Sequence, residues 1–91
     1  MNDDCVYQAF KRAGYNYPQR QKQSAVAIRR FAEKIGATVH EHTEISTGAI
    51  GECIVVAKSD SGSHAMYTES LDSWVKKYGD GEILQMVIEI Q

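Results

Sequence analysis

Cys5 is the first residue in the chain with the makings of a nucleophile. It follows two carboxylates, Asp3 and Asp4, and stands where an amphipathic stretch begins, NDDCVYQAF. A helix N-terminus presents unpaired N–H groups and partial positive charge. A thiol placed there ionises more readily, and the thiolate is the attacking form. The same N–H groups can hold the oxyanion that forms when a carbonyl is attacked. Two adjacent carboxylates oppose that ionisation, so the chemistry needs a nearby imidazolium. His64 supplies the imidazole in GSHAM, and Asp72 follows eight residues later in LDSW. On a neighbouring strand Asp72 would orient the ring and stabilise its charged form. Trp74, just beyond, would shield that contact from water. The bland alternatives are a small apolar cysteine, a turn histidine and an aspartate bonding its own backbone.

Other groups have weaker claims. His40, His42 and Glu44 alternate along one stretch, so a strand would project all three from one face. That set suits a divalent ion, but no fourth ligand is evident nearby, and a solvated strand face is the preferred reading. No metal or other cofactor is expected. Arg20, Lys22, Arg29, Arg30 and Lys34 make one helix basic on its outer side, which reads as a solvated face rather than a phosphate site. Tyr7, Tyr15 and Tyr17 either line a peptide cleft or pack the helix connector. Cys53, ahead of Ile-Val-Val, reads as core.

The elements that must position these residues follow from periodicity. Val6, Ala9, Phe10 and Ala13 give one apolar helical face over 3–13, capped by Asn2 or Asp3 and ended by Gly14. A second helix is expected over 19–35, closed by Gly36, with Ser24 opening its best-patterned part. The period then changes. Residues 37–45 alternate as a strand, 53–57 form a short apolar run, 64–68 a further strand, and 83–90 a final alternating one. The segments 69–74 and 76–82 read as turns. ILQMVIEI fits either an exposed pairing edge or a covered interior strand. Helices before strands, with short connections, predict an α+β fold: two helices packed on a three- to four-stranded antiparallel sheet.

Ninety-one residues make a single domain over 1–91 with one modest core. The net charge of −2 argues against nucleic acid as the main partner. No apolar run approaches a membrane span. Two cysteines are too few for a disulfide framework, and no targeting segment is evident, so a cytoplasmic location with reduced thiols is expected.

The series NDDCVYQAF, GYNY, ECIVVA, GSHAM and LDSW resembles the small papain-like cysteine peptidase fold proteins of phages and bacteria. The resemblance spans nearly the whole chain and implies a minimal papain-like core. Cys5 would then be the nucleophile, His64 the base and Asp72 the orienting acid. Asn2 would stand where such enzymes complete the oxyanion hole, and Trp74 would line the substrate. The activity implied is hydrolysis of an amide bond in a protein or peptide. The alternative is a catalytically inactive module that keeps this fold and binds a host protein.

Overall fold

The computed structural model describes residues 5–18, 24–41 and 50–90. Among these residues, three helices and four strands follow in the order α1 (Cys5–Arg12), α2 (Ala25–Lys34), β1 (Thr38–Glu41), β2 (Cys53–Ser59), β3 (Gly62–Thr68), α3 (Leu71–Tyr78) and β4 (Ile83–Glu89). The strands form one antiparallel sheet in the order β1-β4-β2-β3. The α+β architecture expected from the sequence is therefore present. ILQMVIEI lies in the interior, since β4 pairs with both β1 and β2. The register between β2 and β4 shifts once, between Val56 and Ala57.

Each helix follows from its residues. In α1, Val6, Ala9 and Phe10 are buried at helical spacing, and Gly14 ends the segment at a φ of 95°. The α2 helix starts at Ser24, whose hydroxyl accepts the Ala27 N–H at 3.2 Å. It buries Ile28 and Ala32, and Gly36 closes it at a φ of 78°. Phe10, Tyr17 and Phe31 then lock α1, the connector and α2 together. Phe10 stacks on Tyr17 at 5.4 Å, and Phe31 meets both rings edge-on at 4.9 Å. Tyr17 is thus a packing residue of the connector, and burial pushes its phenol pKa up.

The third helix corrects the sequence reading of 69–74 and 76–82 as turns. Leu71, Trp74, Val75 and Tyr78 recur at i, i+3, i+4 and i+7, and Leu71 and Trp74 are buried. Ser70 caps this helix by accepting the Ser73 N–H at 3.2 Å. It covers the sheet face opposite α1 and α2, so the sheet has two apolar faces. Ile54, Val56, Ala65, Met86 and Ile88 face α1 and α2. Cys53, Val55, Ala57 and Val87 face Leu71 and Trp74. Among the described residues no helix is long and apolar enough to cross a membrane.

Candidate functional site

Cys5 is the first residue of α1 and half-buried. The α1 helix packs along β3, the outer strand of the sheet. The Cys5 Sγ accepts the Ala65 backbone N–H at 3.4 Å. The amide therefore points away from β2 and out of the sheet edge. So the nucleophile candidate reaches the strand that carries His64, one residue short of it.

That one residue decides the geometry. Side chains alternate across a strand, so neighbours leave on opposite faces. Ala65 and Tyr67 face α1, where Cys5 packs. Met66 packs against the α3 cluster, and His64 shares its face. The ring is held there by Glu82, whose Oε1 is in close contact with His64 Nε2 without the alignment of a hydrogen bond. Glu82 lies two residues before Leu84, which packs on the same face.

Asp72 is not on a neighbouring strand. It sits in the first turn of α3, exposed, and pairs with Lys76 at 3.1 Å one turn along. The structure thus brings Cys5 to β3, brings His64 to Glu82 rather than to Asp72, and leaves Asp72 facing solvent. The carboxylate that meets His64 was not legible locally, because Glu82 reaches it only through the crossover from β3 to β4. Asn2 lies outside the described residues. Trp74 is buried under the sheet beside Tyr78, at 5.8 Å between rings. Its indole N–H has no hydrogen-bond partner among the described residues.

The remaining candidates separate in the same way. His40 Nε2 hydrogen-bonds Glu89 at 2.9 Å across the β1–β4 pair, while His42 and Glu44 lie outside the described residues. Among those described, no group of three metal-ligating side chains occurs. Arg29, from the basic helix, pairs with Glu41 at 2.5 Å.

Cys53 is fully buried, and its thiol is pushed up to about 12, first by burial and then by the charges of Glu89 and Glu52. The native state therefore retains a proton that the unfolded chain loses near pH 9. Stability contributed by the protonated thiol is intact below that value and is lost as the pH climbs toward 12. The expected slope is about 1.4 kcal/mol per pH unit within that window. Urea midpoints at pH 8 and pH 10 should differ by less in Cys53→Ala than in the parent chain. Equal differences would show that Cys53 does not carry this dependence.

A second feature lies at the far end of β3. A groove of about 330 Å³ runs around the sheet edge between the end of α1 and the flank of α3. Arg12 and Tyr67 line one side, and Trp74, Lys77 and Tyr78 the other. Arg12 rests over the Tyr67 ring and Lys77 over the Tyr78 ring, each 5.4 Å from the centroid. The Tyr67 hydroxyl donates to Glu52 in a short hydrogen bond, and that bond is the first cause holding the phenol above its ordinary pKa. Of these groups the sequence singles out Trp74 alone, and for a different contact; the others come from three separate elements and match no motif.

Compared with known proteins, the chain matches no family model, no curated protein and no solved structure.

Proposed function

We propose that this chain is a non-catalytic protein-interaction module. The observation that carries the reading is the alternation at His64 and Ala65. It directs the imidazole toward Glu82 and α3, while the Cys5 sulfur stays with α1 on the other face. General-base removal of a thiol proton needs the two atoms within hydrogen-bond reach or one water apart. The exposed position of Asp72, paired with Lys76, gives further support. In this reading Cys5 is a structural group. It covers an outward-pointing amide of an edge strand, a position that otherwise invites pairing with other chains.

A second reading keeps Cys5 as the nucleophile of a papain-like amide hydrolase, with His64 as base. Its support is the position of Cys5 at the first residue of α1, against the strand that carries His64.

Iodoacetamide labelling at neutral pH separates the two. The interaction reading expects Cys5 to label on the order of a free small thiol of pKa about 8.5 or slower, with Cys53 slower still. It also expects Cys5→Ala to retain its fold and any protein partner. Labelling of Cys5 more than about tenfold faster than the small thiol, lost in His64→Ala, would overturn it in favour of the hydrolase.

A further inference from the structure

We infer that the groove at the end of β3 receives an extended acidic peptide segment of a partner protein, added as a strand to the open sheet edge. The inference rests on the interaction-module reading and gives it a site and a partner chemistry.

The first support is the backbone. Among the described residues β3 pairs only with β2, and no described strand covers its other edge. The Ala65 N–H points out of that edge toward Cys5. Hydrogen-bonding direction alternates along an antiparallel strand with period two. Tyr67, two residues on, therefore also turns its N–H and C=O away from β2. At Ala65 the sulfur occupies the edge; at Tyr67 the groove opens. An incoming extended backbone finds one donor and one acceptor at strand spacing there.

The second support is the placement of charge. Arg12 comes from α1 on one face of the sheet, and Lys77 from α3 on the other. Both are exposed, and neither lies within ion-pair distance of a carboxylate among the described residues. Each rests instead on a tyrosine ring. Successive side chains of an added strand point to opposite faces. Two adjacent acidic residues would therefore reach Arg12 with one carboxylate and Lys77 with the next. Glu69 also lines the groove, and its charge limits the acidic stretch to a short one. The open shape and modest volume suit a few residues of a chain better than an enclosed small molecule.

The probe is a fluorescein-labelled short peptide of threonine and valine around a central Glu-Glu pair, followed by fluorescence anisotropy at low and physiological salt. The full chain should bind it saturably, and binding should weaken as salt rises. Arg12→Ala and Lys77→Ala should each weaken binding about tenfold, the scale of one lost charge-assisted hydrogen bond. Both side chains are exposed, so the variants should keep the parent circular dichroism spectrum. A peptide N-methylated at the amide that pairs with Tyr67 should bind far more weakly than its parent. Equal binding of a Lys-Lys peptide, unchanged affinity in the double variant, or unimpaired binding of the N-methylated peptide would each overturn the inference. Displacement by inorganic phosphate as effective as by unlabelled peptide would mark a bare anion site and overturn it too. If peptide binding fails while Cys5 labels slowly, only this inference falls and the interaction-module reading stands.

Discussion

Phe10→Ala is expected to remove a large share of the stability of this domain. Phe10 is fully buried and touches the rings of both Tyr17 and Phe31. Truncating a buried phenylalanine costs about 3–5 kcal/mol, the lost transfer energy plus the cavity left behind. A domain of this size has roughly 5–15 kcal/mol in total. The cavity is also poorly placed for collapse. Phe10 sits where α1, the connector and α2 converge, between the rings of Tyr17 and Phe31, which themselves meet at 4.9 Å. The expected fall in Tm is on the order of 20 °C. Phe10→Leu keeps most of the volume and should cost only about 1–1.5 kcal/mol. Thermal melts followed by circular dichroism give both values. A Phe10→Ala chain melting within a few degrees of the parent would show that the three-ring cluster is not what holds the helices to each other.

Trp74 has a comparable effect on the other face, with a twist that depends on its nitrogen. It is the largest side chain between α3 and the sheet, packed with Leu71, Val55 and Val87. Trp74→Ala should cost about 3–5 kcal/mol. Trp74→Phe removes part of the ring together with an N–H that is buried and has no partner among the described residues. An unsatisfied buried donor carries a penalty of about 1–3 kcal/mol. Losing it offsets much of the lost packing, so Trp74→Phe should lie within about 1 kcal/mol of the parent. Urea denaturation of the three chains measures the contrast. A Trp74→Phe chain as unstable as Trp74→Ala would mean that the indole N–H is satisfied in solution.

Much of the architecture is legible in the residues. The apolar spacing of Val6, Ala9 and Phe10, the helix-ending Gly14 and Gly36, and the alternation in ILQMVIEI all describe what forms. The helix from Leu71 to Tyr78 was equally legible in principle. Its apolar positions are helically spaced, and a serine stands at its start. Eight residues between two strands, with Gly79 and Gly81 close behind, fit two turns equally well. The third helix also decides the geometry of the candidate site. With helices on one face only, His64, Ala65, Met66 and Tyr67 give no sign of which pair faces α1, since both pairs contain an apolar residue. Once α3 covers the second face, His64 belongs with Met66 and lies away from Cys5. Asp72 moves for the same reason, from a supposed strand to an exposed helical turn. The Glu82 contact and the Arg12–Lys77 groove depend on strand order, which no local pattern encodes.

The position of β4 has a consequence for how the chain assembles. The strand latest in sequence lies between β1 and β2, and Thr38 is aligned with Glu89. Until Ile83–Glu89 has emerged from a ribosome, β1 lacks its one neighbour among the described strands, and one side of β2 is open. Only the β2–β3 hairpin can zip early, from contacts near in sequence. Joining β1 to β4 requires closing a long loop first, the step that slows folding in sheets built from distant pairings. The nascent chain must therefore keep two sticky edges apart from other molecules until β4 slides in as the keystone.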